Sequence, residues 1–522
     1  MKAGRVIDGD EHDARERAQQ IVDEARAEAD RLREVARTEI AQTRHDADKL
    51  ARRLVQDARV EAERTTARAA AEAERLREHA RALANRLVDG AREPAHGQAG
   101  TVDEVVGLVM RATVPGVALG EVVRIDRRDP AELDGRAREP LLAEVVGFRG
   151  EQAVLLPLGE VAGVAPAGSV WRTDGPLTIR CGEDLLGRVL DGVGRPSDGG
   201  PALAGEPWPV DRPAPPALAR PPITTPQPTG VRALDTMLTL GRGQRVGLFA
   251  AAGVGKSTLL GQFARGASAD VIVLCLVGER GRELAEILVE ELAPARARSV
   301  VVCATSDAPP LVRLRAIHTA TAIAEWFRDR CGAQVLLLCD SLTRVARAQR
   351  EVGLSAGEPP ARHGYPPSVF ALLPRLIERA GATQHGVITA IYTVLVAGND
   401  LDEPIADEVR GLVDGHIVLD RRLAQRGHFP PIDVVASASR LMTRVVDAPH
   451  AEAAARIRAR LAIYEEHRDL ITLGAYQAGR DRVVDEAVAA YPAIEQLLRQ
   501  RREEVADWDV SLGSLLTLAG PG

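Results

Sequence analysis

The eight residues from Ala250 to Ser257, A-A-A-G-V-G-K-S, have the types and the spacing to hold a phosphate. They follow an apolar run of strand type, Arg245 to Phe249, and precede Thr258 to Ala264, whose apolar residues have helical spacing. Gly253 and Gly255 let backbone N–H groups turn toward phosphate oxygens with no Cβ in the way. A helix starting there puts its positive dipole end on the anion. Lys256 adds a point charge for β- and γ-phosphates and Ser257 a hydroxyl for Mg²⁺. Ala250, Ala251, Ala252, Val254 and Thr258 complete the nucleotide-binding stretch. Ala250 stands where the general pattern has glycine.

Two carboxylates extend this chemistry. V-L-L-L-C-D, Val335 to Asp340, is an apolar strand ending in an acid. At the carboxyl edge of a parallel sheet, Asp340 faces the phosphate loop and holds Mg²⁺ directly or through water. Val277-Gly278-Glu279-Arg280 ends another strand. Glu279 there either polarises a water in line with the γ-phosphate or is a first-turn helix carboxylate ahead of Glu283. Spacing alone leaves the two readings even.

These residues need a sheet to bring them to one edge. From Val231 onward, strand-like runs occur at Arg245–Phe249, Val271–Val277, Ser299–Cys303, Val335–Cys339, Val387–Thr393 and His416–Leu419. Helical stretches such as Glu283–Leu292, Leu311–Phe327 and Val369–Ala380 lie between them. The alternation predicts an α/β domain with a mostly parallel sheet of the P-loop, RecA-like kind over residues 176–443. Upstream, residues 101–175 carry short apolar runs (Val105–Val109, Leu142–Val146, Ala153–Leu158) broken by Gly and Pro, the pattern of a small β-barrel or sandwich. Gly182–Gly200 is turn-rich, and ten prolines between Pro201 and Pro228 read as an extended linker along a domain surface. Residues 444–522 are rich in Ala, Arg, Glu and Leu at helical spacing, with apolar faces at Leu461–Tyr464, Val483-Val484 and Ile494, Leu497, Leu498.

The first ninety-five residues differ from the rest. No Gly or Pro occurs between Asp10 and Asp89, and charges of both signs alternate. Small or apolar residues recur at Ala18, Val22, Ala25, Ala29, Leu32, Ala36 and Ile40, and again from Ala47 through Leu87, at steps averaging about 3.6. A coiled-coil-like stalk helix over residues 1–95 is expected; a seam made mostly of Ala needs a partner helix to be stable. The alternative is a solvated single helix held by i,i+4 ion pairs.

A chain of 522 residues exceeds one core and implies several domains. The net charge of −7 comes with no block of like charge, which speaks against a polyanion-binding surface. The five cysteines lack metal spacing, and Cys275 and Cys339 sit inside apolar runs as small buried hydrophobes; a reducing cytosol suits them. No apolar run of membrane-spanning length occurs.

Residues 101–522 closely resemble the catalytic ATPases of type III secretion, injectisome and flagellar, and more distantly the β subunit of F-type ATP synthase. The resemblance rests on G-R-G-Q-R-V-G-L-F (Gly241–Phe249), V-G-E-R-G-R-E (Val277–Glu283), S-D-A-P-P-L-V-R-L-R-A (Ser306–Ala316) and D-S-L-T-R (Asp340–Arg344). It continues through G-E-P-P-A-R-H-G-Y-P-P-S-V-F (Gly357–Phe370), L-P-R-L-I-E-R-A-G (Leu373–Gly381), P-I-A-D-E-V-R (Pro404–Arg410), D-G-H-I-V-L (Asp414–Leu419) and G-A-Y-Q-A-G-R-D (Gly474–Asp481). It implies Mg²⁺-dependent ATP hydrolysis, with Glu279 activating the water, Arg280 beside it, and Arg344 near the γ-phosphate. Arg440 matches an arginine finger that enters the neighbouring subunit's site, and Phe429 falls where the family places an aromatic, usually Tyr, against the adenine. A homohexameric ring follows from such a finger. The resemblance further implies stator and central-stalk partners, export clients and chaperones, and a cytoplasmic place at a membrane export gate. The 1–95 segment resembles stator subunits by composition only.

The family's loop usually carries Gly and Ser or Thr where Ala251 and Ala252 stand. A methyl at 251 is expected to hinder a positive φ or crowd the phosphates, at the expense of turnover. P-I-A-D-E-V-R and I-D-V-V-A-S-A-S-R lean toward the injectisome. The rivals are a rotary ion-translocating catalytic subunit, an RNA-stimulated translocase, and a nucleotide-binding scaffold without hydrolysis. The translocase needs basic or aromatic nucleic-acid loops, and neither is evident.

Overall fold

The computed structural model describes residues 99–127, 139–397 and 400–520, with eight single positions between Gln20 and Gln56, all eight helical. Otherwise the seam expected for residues 1–95 lies outside the described residues. His96–Gly522 forms one compact unit.

Its first part is a closed barrel. The strands are β1 (Gly100–Val106), β2 (Val109–Thr113), β3 (Val122–Ile125), β4 (Leu141–Arg149), β5 (Gln152–Pro157) and β6 (Ser169–Arg172), in the order β1-β2-β5-β4-β3-β6. Alternating residues point inward, and Met110, Ala112, Val123, Ile125, Ala143, Val145, Leu155 and Val170 are fully buried. The Val105–Val109 run is not one strand. Gly107 takes φ +60° and turns β1 into β2, leaving Val106 and Leu108 exposed.

The linker segment is built into the core rather than laid loosely over it. β7 (Thr178–Cys181) pairs antiparallel with β9 (Glu206–Pro209), and β8 (Val189–Leu190) pairs parallel with a strand of the main sheet, Ser299–Thr305. Arg220 then fixes the proline run, donating to the carbonyls of Glu378 and Ala380.

The main sheet adds β10 (Arg245–Ala250), β11 (Val271–Glu279), β12 (Ser299–Thr305), β13 (Gln334–Asp340), β14 (Gly381–Ala382), β15 (Val387–Leu395), β16 (Gly415–Leu419) and β17 (Ile432–Ser439). The order is β17-β16-β10-β15-β13-β11-β12-β8, parallel except for β17 on β16 and the short β14 on β15. Central strands are buried on both faces, so they read as unbroken apolar runs; Ile272 through Val277 is an example. Cys275 and Cys339 face each other across β11 and β13, both buried.

The expected Glu283–Leu292 helix is broken: an α-helical turn over Gly281–Glu286 passes into a π-turn over Ile287–Glu291. The Val369–Ala380 stretch forms a helix over Pro367–Ile377. At the C-terminus, helices Ala448–Thr472, Arg482–Leu498 and Trp508–Ala519 each start on an aspartate cap, Asp447, Asp481 and Asp507, that accepts from first-turn N–H groups. Tyr464 stacks on Tyr491 at 3.7 Å between ring centroids, and Ile494, Leu497 and Leu498 are buried. Of the Val483-Val484 pair only Val484 is buried.

Candidate nucleotide site

β10, β13 and β11 run parallel, so their carboxyl ends open on the same side. The chain leaves β10 at Ala250, turns through Gly253 (φ +77°) and Gly255 (φ +99°), and enters the Lys256–Gly266 helix. Nothing lies within 4 Å of where a Cβ would stand on either glycine, so the loop opens onto free space. Positive φ at non-glycine residues occurs, among the described residues, only at Ala167, Asp174 and His363. Ala251 and Ala252 therefore sit in ordinary backbone, and the expected clash of the methyl at 251 with a positive φ does not arise.

Lys256 Nζ lies 2.5 Å from Asp340 Oδ1 and 3.8 Å from Glu279 Oε1. Asp340 closes β13 and Glu279 closes β11, and both are buried. Thr393 of β15, the strand between β10 and β13, donates to Asp340 Oδ1 at 2.8 Å. Arg344, in the helix after β13, reaches Glu279 Oε1 at 3.1 Å and donates to the Gly278 carbonyl. Gly278 takes φ +68°, and its missing side chain leaves room for the Arg344 stem. Burial and the nearby Asp340 charge push the Glu279 carboxyl up to about 7, against partial relief from Lys256 and Arg344. A carboxyl poised there changes protonation near neutral pH, as a general base or water-orienting group requires.

The site fits a hard divalent cation. Asp340 Oδ2 is buried with no hydrogen-bond partner, and Ser257 brings a hydroxyl directly after Lys256. One carboxylate and one hydroxyl, completed by substrate phosphates and water, suit Mg²⁺ better than an all-protein cage. No group of three or more His, Cys, Asp or Glu able to hold a metal occurs among the described residues.

Beside the loop opens a cleft of about 910 Å³. Gly255 and Thr258 line one side, Phe429 and Pro430 another, and the Arg499–Glu504 segment a third. Phe429 is 48% exposed, its ring on the cleft and available to stack on a base, and its carbonyl accepts from Gln500 N–H at 2.9 Å.

Two candidates stand apart. The Arg280 side chain is 81% exposed and turns to Glu283, 3.6 Å away, rather than to Glu279. Arg440, at the end of β17, is exposed; it donates to the Arg410 carbonyl at 3.1 Å and makes no hydrogen bond or ion pair with Lys256, Glu279 or Asp340. Thr393, Gly278 and the Arg499–Glu504 wall were not singled out from the sequence. Thr393 had no signal beyond lying in a strand run, and the wall lies more than 200 residues from the loop it faces.

Comparison with known proteins places the chain in a family. Residues 230–439 match the ATP synthase alpha/beta family, nucleotide-binding domain, and residues 446–517 match the T3SS EscN ATPase C-terminal domain. The flagellum-specific ATP synthase of Bacillus subtilis (strain 168) is 47% identical over 423 residues, 81% of this chain and 95% of its own. The type 3 secretion system ATPase of Xanthomonas euvesicatoria is 50% identical over 420 residues, 80% of this chain and 93% of its own. The assembled ATPase EscN from the enteropathogenic E. coli type III secretion system superposes with a TM-score of 0.75 at 42% identity, covering 81% of this chain and 100% of that one. A second structure holds EscN in complex with its central stalk EscO, at a TM-score of 0.73.

Proposed function

The chain belongs to the ATP synthase alpha/beta family, among the ATPases of type III secretion and flagellar export, and from that premise we propose how its own residues work. It hydrolyses ATP to energise protein export, on the injectisome branch. The observation that carries the chemistry is the convergence of Lys256, Asp340, Glu279 and Arg344 at one sheet edge, beside the cleft lined by Phe429. The loop N–H groups and Lys256 hold the phosphates. Ser257 and Asp340 hold Mg²⁺, which when bound neutralises charge on the phosphate oxygens. Phe429 stacks on the adenine. Glu279, ionised, orients the attacking water, and Arg344 keeps its carboxylate aimed. The exposed Arg440 completes the site of the next subunit in a homohexameric ring. Ordinary backbone at Ala251 and Ala252 supports turnover over a non-hydrolysing scaffold.

The injectisome assignment draws on P-I-A-D-E-V-R and I-D-V-V-A-S-A-S-R. A central stalk like that of the EscN complex, export clients and chaperones are its partners at a cytoplasmic membrane gate. Among the described residues no helix is long and apolar enough to cross a membrane. The stalk reading makes residues 1–95 act as a fused stator-like segment; deleting them then abolishes docking that a separate stator protein otherwise supplies. A deletion without effect on docking, in a chain still needing that protein, removes the stalk reading.

The test is Mg·ATP hydrolysis against protein concentration. Specific activity climbs as the ring assembles and is lost in Glu279→Gln and in Arg440→Ala. Mixing the two variants restores part of it, because a mixed ring contains interfaces with an intact Glu279 facing an intact Arg440. Mixed rings with no recovery, or full activity at every dilution, overturn the shared-site reading.

A further inference from the structure

The stretch that follows Glu279 is poorly anchored. From Arg280 to Glu290 its residues are exposed or half-buried, and the ion pairs of its first turn and a half, Arg280 with Glu283 and Arg282 with Glu286, are internal. Leu284, Ile287 and Leu288 rest against the core only in part. The stretch then ends in the π-turn, and at its last residue the environment changes. Glu291 is buried, and its carboxylate is claimed from two sides.

Arg265, in the last turn of the helix that begins with Lys256, donates from Nη1 to Glu291 Oε2 and to the Glu291 carbonyl, both at 3.1 Å. Arg502 donates from Nη2 to Glu291 Oε1 at 2.7 Å and to Glu290 Oε2 at 2.8 Å. Arg502 belongs to the Arg499–Glu504 wall of the base cleft. That wall is tied to the same helix twice more, by Gln262 Nε2 to the Arg501 carbonyl at 3.1 Å and by Arg265 Nη2 to the Arg502 carbonyl at 2.6 Å. Gly261 shows that the fit is built: a Cβ there would strike the Glu291 carboxylate and its stem. A carboxylate that shallow-packed apolar residues cannot hold is thus fixed by charge-assisted bonds from both neighbouring elements.

We propose that Glu291 is a positioning residue for hydrolysis. Its carboxylate keys the Glu279 arm to the phosphate-loop helix through Arg265 and to the wall of the base cleft through Arg502. Nucleotide seated against that wall therefore sets where the arm, and with it Glu279, stands. The π-turn matters here, because one extra residue in that turn swings Glu291 inward under Gly261. Misplacing a catalytic group by about 1 Å from a site far from the chemistry can cost roughly a hundredfold in rate. The Glu291 carboxylate is separated from the Glu279 carboxylate by the eleven exposed or half-buried residues Arg280–Glu290 and touches none of the groups assigned to the phosphates.

The inference rests on the reading of Glu279 as the water-orienting group, and the experiment separates the two. Steady-state ATP hydrolysis is measured on full-length chains carrying Glu291→Gln, Arg502→Ala, the double change, and Glu279→Gln, at ring-forming concentration, with thermal unfolding alongside. Glu291→Gln lowers kcat between about tenfold and a hundredfold while KM for ATP changes less than about threefold. The double variant is no worse than Glu291→Gln alone, since both remove one link. Glu291→Asp, which keeps the charge, recovers part of kcat. A Glu291→Gln chain that folds and turns over at the parent kcat overturns the proposal. So does a loss that Glu291→Asp shares in full, or one that appears in KM alone. If Glu279→Gln itself hydrolyses ATP at the parent rate, the water-orienting reading has failed instead.

Discussion

Glu279→Gln exchanges catalysis for stability, and the structure sets the size of the exchange. The Glu279 carboxyl is buried beside Asp340 and is pushed up to about 7 from an ordinary 4.5. Its folded-state value lies above its unfolded one, so the protonated form favours the fold. Below pH about 4.5 both states hold the proton and nothing is lost. Between about 4.5 and 7 the folded state keeps a proton the unfolded chain releases, and stability falls. Above 7 the full cost is present, roughly 3 kcal/mol for a shift of that size. Glutamine cannot ionise and keeps an oxygen for Arg344, so it escapes the cost. The nucleotide-free variant is therefore more stable than its parent by up to about 3 kcal/mol at pH 8 and by under about 1 kcal/mol at pH 5. For His96–Gly522 an unfolding entropy of about 2.1 cal/mol/K per residue turns ~3 kcal/mol into a Tm rise of roughly 3–4 °C. The assay is a pair of thermal scans at pH 8 and pH 5 without nucleotide, at one protein concentration and one scan rate. A variant less stable than its parent at pH 8, or a gain that does not shrink on acidification, refutes the reasoning.

Three further outcomes follow from the same geometry. Because kcat/KM reports the free enzyme, it rises with pH and levels off above about 7; Arg344→Ala, which removes a charge that lowers the Glu279 value, moves the limb to higher pH, and Asp340→Asn moves it to lower pH. Phe429→Ala raises KM for ATP about tenfold or more, the worth of one base stack, while Phe429→Tyr leaves it near the parent value; binding of a fluorescent ATP analogue reads both. Arg315→Met strips the buried Glu144 of the barrel of its partner and lowers stability by roughly 3–5 kcal/mol, and adding Glu144→Gln returns much of the loss, as denaturant unfolding of the two variants checks.

The legible part of the site was local. Asp340 and Glu279 each close a strand, and an apolar run that stops on an acid announces that position without any knowledge of neighbours; Lys256 and Ser257 open the helix after the glycine loop, where G-V-G-K-S announces them. Arg280 shows the limit of adjacency: successive residues leaving a strand point to opposite sides, so the arginine next to Glu279 faces solvent. Arg344, far along the chain, comes in because its helix starts directly behind Asp340. β17 escaped notice because V-V-A-S-A-S alternates too weakly to register as a half-buried strand, and β8 because two residues carry no period.

What stayed hidden required three distant segments at once. The π-turn, the place left by Gly261 and the arginine of the cleft wall have no signature singly; an extra residue in a helical turn looks like any Glu-rich surface stretch. Their meeting at Glu291 also bears on Arg440. Within one chain the phosphate side of the site has Lys256 and Arg344, and both are already engaged by Asp340 and Glu279. Lys256 divides its charge between the phosphates and Asp340, so charge developing on a transferring phosphoryl group gains from a further cation. Arg440 is exposed, its side chain held by a single backbone carbonyl and free of any carboxylate partner among the described residues, so it can be presented to another copy at little cost in desolvation. On this account the arm keyed by Glu291 and the finger at the edge of β17 answer to different signals, nucleotide in the cleft and a neighbour in the ring, and hydrolysis requires both.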